Sequence, residues 1–437
     1  MPSRQILHAR YVFPVVGEPI ENGFVCIEER RIVEVGKSRG AGCQPALSAG
    51  QVGNQPHEVI ELGNVAILPG LINAHTHLEF SGLSQQIGTP GMGFVDWIRE
   101  VIAWRGSHIL DTEAAIAAGL QECMRNGITT VGNISQREEC GKFFEASSAD
   151  GTRFIEFIAP LVDSVPEMTD YLSQKLSSLI HVQDATNWQI GLSPHAPYSV
   201  HSMLLKILVD CSVAQQVPLA MHLAESREEL QLLEKGDGPF RDFLRERNIF
   251  NTSVFPGGKR PLDYLKLLSK ASRALIIHGN YLNNEEIAFL AENATKMAVV
   301  YCPRTHSFFQ HDPYPLEKML AAGVTVTLGT DSRASSPDLN LLAEMRFASN
   351  QYPQINRERI LKMSTINAAH ALGRSEEIGS LEAGKFANFA IVALPSEDAH
   401  APDPYRLLFE SDGPVVQTWF RGQLSHGLIP SSNATVY

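Results

Sequence analysis

The sequence predicts a (β/α)8 barrel flanked by a small β-sandwich to which both ends of the chain contribute. Three observations lead there. Eight short apolar runs of β character alternate with helix-like segments through the middle of the chain, the pattern of a parallel sheet rather than of stacked hairpins. The two ends consist instead of short β-rich pieces bounded by Gly, Asn and Pro. Histidines and carboxylates gather where five of the eight runs stop, the face on which a barrel carries its chemistry.

Taken in order, residues 1–67 make the first part of the sandwich, with β pieces at 6–16, 23–28, 31–35 and 58–62. Residues 36–56 are rich in Gly, Ser, Gln and Pro, the composition of a mobile surface insertion. Residues 68–377 make the barrel, whose first run begins just ahead of that boundary. Its strands are expected at 66–77, 128–134, 154–159, 189–193, 218–222, 274–278, 297–302 and 324–329. Helices are expected between them at 94–105 with 113–125, then 166–180, 202–215, 262–270, 284–292, 316–322 and 339–349. Residues 378–437 return to the sandwich through GSLEAGKFANFAIVAL and VVQTWFRGQ.

Composition narrows the function classes. A chain of 437 residues with 44% hydrophobic and 19% charged residues has ample core for a globular fold. A formal net charge of −12 argues against non-specific binding to nucleic acid or to an anionic membrane. Cys26, Cys43, Cys123, Cys140, Cys211 and Cys302 are scattered without a C-x-x-C pair and read as reduced thiols. The N-terminus, MPSRQILHARYVFPV, lacks a signal-peptide core, and no run of about 18 apolar residues suggests a membrane span. A cytoplasmic protein is expected, with a homodimer as the common closed assembly.

The first barrel run carries LPGLINAHTHLEFS. Residues two apart on a strand face the same side, so His75 and His77 point together. The fifth run ends in PLAMHLAES, with His222 at its end and Glu225 three residues on. The sixth ends in ALIIHGN at His278, and the eighth in VTVTLGTDS at Asp331. The fourth ends in IGLSPHAPYS, where two prolines stiffen the loop around His195. One such residue alone reads as a turn former or a satisfied polar group. Turn chemistry does not account for five at the same end.

His75, His77, His222 and Asp331 supply three imidazoles and a carboxylate, a set suited to one Zn²⁺ or Fe²⁺. The chemistry such an ion supplies is activation of water near neutral pH. Glu225, near His222 but not needed as a ligand, suits a proton shuttle from water to a leaving amine. Asp331 can also accept a hydrogen bond from the attacking water, and His278 can orient or polarise it. His195 is better placed to donate to the substrate than to bind metal.

These motifs, PGLINAHTH, SPHAPYS, HLAES, IIHGN and LGTDS, with the tail GSLEAGKFANFAIV, resemble the amidohydrolase superfamily along essentially the whole chain. The likeness is to its mononuclear metal-dependent aminohydrolases, the branch of adenosine-type, guanine, cytosine and S-adenosylhomocysteine deaminases and of triazine chlorohydrolases. The resemblance implies one divalent metal on His75, His77, His222 and Asp331, proton transfer by Glu225 and polarisation of water by His278. It implies a small-molecule substrate, an amino-substituted purine, nucleoside or related N-heterocycle, with amide or carbon–chlorine hydrolysis as the alternative. A non-enzymatic barrel relative would lack a ligand or the shuttle, and here all are present. No lysine ends the fourth run, so the carboxylated lysine of two-metal members has no counterpart. His77-Leu78-Glu79 spells the H-x-E of cytidine-type deaminases, but no P-C-x-x-C accompanies it.

The chain departs from its branch after the seventh run. CPRTHSFF puts Arg304 and His306 where smaller or neutral polar residues are usual, and Glu79 and Phe80 directly follow the metal histidines. Arg304, His306 and Glu79 are expected to line the pocket and read a polar or anionic part of the substrate. Trp97 is expected as a pocket wall. The long segment 236–261 after the fifth run is expected to cover the site, with Phe240 meeting a flat ring. HLEFS, FVDWI and CPRTHSFF together are similar to aminodeoxyfutalosine deaminases and chlorohydrolase-like deaminases of that branch.

Overall fold

The computed structural model describes residues 4–37, 57–108, 111–136, 144, 149–183, 187–395, 403–428 and 434–436. The expected insertion therefore lies almost wholly outside the described residues. Five strands come first: β1 (Arg4–Val12), β2 (Ile20–Glu28), β3 (Arg31–Lys37), β4 (His57–Glu61) and β5 (Val65–Pro69). Eight follow as β6 (Leu71–Thr76), β7 (Ile128–Ser135), β8 (Asp150–Phe157), β9 (Trp188–Pro194), β10 (Leu219–Leu223), β11 (Ala274–His278), β12 (Met297–Tyr301) and β13 (Val326–Leu328). The last are β14 (Phe389–Ala393), β15 (Val415–Phe420), β16 (Gln423–His426) and β17 (Ala434–Val436).

Strands β6 to β13 lie side by side in chain order, each parallel to the next. This is the expected (β/α)8 barrel. Its strands are buried almost throughout because helices cover them outside and side chains from the strands fill the inside. The seam between β13 and β6 is stitched by polar groups of β6 and of the residues just after β13. The Asp331 N–H donates to the His75 carbonyl at 3.1 Å, and Thr76 Oγ1 to the Asp331 carbonyl at 2.8 Å. The Asn73 amide donates to Thr330 Oγ1 at 2.7 Å and accepts from the Thr330 N–H at 3.1 Å. Barrel closure thus brings together residues from opposite ends of the barrel sequence.

The two chain ends share one nine-stranded mixed sheet, ordered β16-β15-β14-β5-β1-β2-β3, with β4 beside β1 and β17 beside β4. Strand β14 runs antiparallel to β5 with Ile391 opposite Ile67, so the C-terminal piece does pair with the N-terminal one. Leu7, Val25, Ile67, Phe389 and Trp419 fill the core of this sheet.

The run expected as one strand over 66–77 is two, broken at Gly70. Strand β5 belongs to the end sheet and β6 to the barrel. At the crossing, Gly70 donates to the Asn388 carbonyl at 2.8 Å and lies so close to β7 that a Cβ would sit 2.2 Å from Thr129 Oγ1. Glycine is needed for that approach. The segment expected as a long loop after the fifth barrel strand also differs, because it carries a helix over Pro239–Glu246. Gly238 at φ 91° and Pro239 at the first position start that helix where the loop reading anticipated none. Among the described residues Cys26, Cys123, Cys211 and Cys302 are free, and no helix is long and apolar enough to cross a membrane.

Candidate active site

Each polar residue found at a run's end stands at the same mouth of the barrel. Strand β6 delivers His75, and His77 follows immediately as the chain turns into a short 3-10 helix (Leu78–Phe80). His222 lies within β10 and His278 ends β11. Asp331 follows β13 at φ 57° and His278 has φ 69°, both left-handed. That backbone disfavours a side chain, and the cost is offset by the contacts that hold each group over the mouth.

His75 Nε2 lies 3.4 Å and His77 Nε2 3.8 Å from Asp331 Oδ1. One nitrogen from each of His75, His77 and His222 falls within 4.8 Å of the others. Both ring nitrogens of His75 are buried and meet no hydrogen-bond partner, an arrangement costing about 1–3 kcal/mol per group unless something else binds there. Burial holds the His75 and His77 pKa values well below the usual histidine value, with neighbouring imidazoles adding to it; His222 is brought to about 4. Neutral imidazoles offer the lone pairs a cation takes. His222 is oriented by its Nδ1, 3.0 Å from the His195 carbonyl, the outer hydrogen bond typical of a metal-ligating histidine. Ser335 Oγ donates to Asp331 Oδ2 at 2.9 Å, leaving Oδ1 turned to the histidines. These four residues fit a divalent ion.

Glu225 stands beside this set. Its Oε1 is 3.2 Å from His278 Nε2, and both side chains are almost fully buried. Burial raises its pKa well above the usual carboxylate range, with Asp331 and Glu229 adding to the shift. The turn that presents it is tied down by Glu229, which accepts from the Ala224 and Glu225 N–H groups at 2.9 Å each.

A cavity of about 500 Å³ opens over these groups, ample for a heterocyclic ligand. Its walls are largely aromatic and aliphatic, with Phe80, Trp97, Tyr198 and Phe243 prominent. Trp97 and His195 line it as expected. His195 Nδ1 is 2.6 Å from Ser199 Oγ, and burial lowers the His195 pKa to about 4.

The remaining expected substrate contacts are placed elsewhere. Arg304 does not line the cavity. It lies in the helix Pro303–Phe308, where Pro303 turns it back onto the helix Leu341–Gln351, and it pairs with Glu344 and Asp338 at 2.6 Å each. His306 packs among Tyr301, His311 and Tyr314, and burial brings its pKa to about 4. Phe240 is fully buried behind the wall and stacks on Tyr198 at 4.1 Å, while Phe243, one turn along, reaches the cavity. Glu79 is not a lining residue but holds one, pairing with Arg105 at 2.6 Å.

Sequence reasoning missed Arg105, Gln136 and Glu156, which all line the cavity. Glu156 had a readable signal, being a lone carboxylate in the apolar run FIEFIA near the end of the third barrel strand. Arg105 and Gln136 gave none, because a polar residue late in an amphipathic helix or just after a strand is ordinary.

Comparison with known proteins agrees with this architecture. The family model described as the amidohydrolase family matches residues 66–425. The chain is 29% identical to an aminodeoxyfutalosine deaminase of Deinococcus radiodurans over 352 residues, 78% of this chain and 81% of that protein. It is also 29% identical to a 5-methylthioadenosine/S-adenosylhomocysteine deaminase of Moorella thermoacetica over 427 residues, 93% and 90% of the two chains. Among solved structures, it superposes with a TM-score of 0.79 on a Helicobacter pylori aminofutalosine deaminase in complex with methylthio-coformycin, at 22% identity over 96% of this chain and 99% of that one. Atrazine chlorohydrolase from Arthrobacter aurescens complexed with zinc gives 0.76, at 20% identity over 97% and 95%. The family match spans most of the chain and all the site motifs, and the chain belongs to the amidohydrolase family.

Proposed function

We propose that the protein is a metal-dependent hydrolytic deaminase releasing ammonia from an amino-substituted purine nucleoside or a related N-heterocycle. The observation that carries this is the buried Glu225 carboxyl, 3.2 Å from His278 Nε2 and beside a histidine–aspartate cluster suited to one ion. The relatives at 29% identity bear the names of deaminases of adenine nucleosides and of aminodeoxyfutalosine, which favours that substrate class.

His75, His77, His222 and Asp331 hold the metal in this reading. We infer zinc, since the donor set suits it and structural relatives carry it. Bound there, the ion supplies Lewis acidity that brings the pKa of water from about 15.7 towards about 7. Glu225 takes a proton from the attacking water and passes it to the leaving nitrogen. His278 orients the water, and His195 donates to the heterocycle. The new C–O bond forms at the carbon bearing the amino group, the C–N bond breaks, and ammonia departs with the transferred proton. The aromatic walls hold the ring flat and exclude bulk water.

Ammonia release tests the reading directly. The panel is adenine, adenosine, 5′-methylthioadenosine, S-adenosylhomocysteine, aminodeoxyfutalosine, guanine, cytosine and amino-triazines. Turnover concentrated in the adenosine class is expected. Silence across the panel from fully metal-loaded protein would overturn it, and chloride release from chlorotriazines would then favour dechlorination.

Metal removal has its own expected outcome. Chelation should abolish activity and lower the melting temperature, because a ligand present at about 1,000 times its Kd stabilises by about 4 kcal/mol. Zn²⁺ should restore both. A melting curve unchanged by chelation, with metal analysis confirming removal, would count against this site.

A further inference from the structure

On the cavity wall lies a polar group that the proposed reaction does not use. Arg105, from the helix Phe94–Ser107, donates through Nη2 to Glu79 Oε1 at 2.6 Å and through Nη1 to Gln136 Oε1. A guanidinium has only donors, so the Gln136 amide must present its oxygen to Arg105 and its NH₂ to the other side. That side is Glu156, whose carboxylate the Gln136 side chain hydrogen-bonds. The chain Glu79–Arg105–Gln136–Glu156 fixes the carboxylate from behind.

Its front is unpaired. The Glu156 side chain is only 2% exposed, and its Oε1 is buried with no hydrogen-bond partner. His195 Nε2 stands 4.0 Å away, beyond hydrogen-bond range. A Glu156 carboxylate oxygen and one nitrogen each of His195 and His222 fall within 4.8 Å of one another, the spacing of a second cation site. The surroundings argue against it. His222 Nδ1 is occupied by the His195 carbonyl and its other nitrogen serves the first ion, while His195 Nδ1 is occupied by Ser199. Two remaining donors make a poor cation site. A desolvated, pre-oriented acceptor on a ligand cavity calls instead for a hydrogen-bond donor on the ligand.

We propose that Glu156 is a specificity-determining residue that accepts a hydrogen bond from a hydroxyl or amino group of the substrate, and so selects donor-bearing nucleosides over analogues that lack the donor. This rests on the deaminase reading. Two sources offer that chemistry, a ribose hydroxyl and an amino group on the base. A site built to pair with a donor rejects the analogue without it strongly, because the buried carboxylate is then left unpaired.

The test is a cycle of enzyme variant against substrate group. Ammonia release and equilibrium binding are measured for adenosine, 2′-deoxyadenosine, 3′-deoxyadenosine and 2,6-diaminopurine riboside, with wild type, Glu156→Ala and Glu156→Gln. Wild type is expected to favour one donor-bearing partner by about 100-fold or more in kcat/KM. Glu156→Ala should compress that ratio at least tenfold, chiefly through KM and the binding constant, and Glu156→Gln, which keeps an acceptor oxygen, should restore part of it. Collapse at the 2′ or 3′ position assigns the ribose, and collapse for the diaminopurine assigns the base. Ratios equal in all three proteins, whatever the loss of rate, would overturn the proposal and leave Glu156 a structural residue. If wild type deaminates no nucleoside, the deaminase reading fails on that result, and equal nucleoside affinity in wild type and Glu156→Ala then overturns the proposal separately.

Discussion

Glu225→Gln is expected to lower kcat by about 10²–10⁴-fold, the range that a positioned proton-transfer group contributes. The amide keeps the size of the carboxyl and can still occupy the space beside His278. It cannot take a proton from water or return one to a leaving nitrogen. Glu225 is outside the proposed ligand set, so metal content should stay at about one ion per chain and the melting temperature should hardly move. KM should change far less than kcat, because the loss falls on the transition state. Full activity in this variant would remove Glu225 from the proton path.

Asp150→Ala is expected to cost about 3–5 kcal/mol of stability, the range for removing one partner of a buried ion pair. Asp150 starts β8 at the end of the barrel remote from the cavity and is fully buried. Its Oδ1 lies 2.8 Å from Arg374 Nη1 and accepts from Thr130 Oγ1 at 2.6 Å. Arg421, from the loop between β15 and β16, approaches its Oδ2 to 3.6 Å. The carboxylate thereby joins the barrel to the end sheet, and its loss leaves the buried Arg374, among the described residues, with only the half-exposed Glu377 as a charged partner. Urea unfolding of wild type, Asp150→Ala, Arg374→Met and the double variant checks this. The double variant should be less destabilised than the sum of the singles, because removing both charges leaves none buried alone. Additive effects would show the pair to be uncoupled.

The barrel and the candidate metal and proton-transfer residues were legible in the sequence for a local reason. A parallel strand buried on both faces reads as an unbroken apolar run, and a polar residue at its end is visible against that background. His75, His222, His278 and Asp331 each stand at such a boundary, and the order of the runs gives the order of strands around the barrel. That the two ends share a sheet was legible from their matched β-rich composition, but that β14 pairs with β5 was not, because residues 66–69 read as part of the first barrel strand.

Beyond Trp97 and His195, the cavity wall was not legible, because its members come from separate elements and their directions depend on packing. Arg304 looks from sequence like a pocket residue, but the helix beginning at Pro303 turns it onto Glu344 and Asp338. Phe240 and Phe243 are equally aromatic neighbours, and only the seating of their helix against Tyr198 decides which meets the cavity. Glu79 is drawn away by Arg105, and that pairing brings Gln136 and then Glu156 into line. Strand periodicity and motif spacing thus determined the fold and the candidate metal and proton-transfer residues, since each is set within a few residues of chain. Tertiary structure decided which of the other polar and aromatic side chains face the cavity, because a long polar or aromatic side chain follows the charges and rings packed against it from distant parts of the sequence.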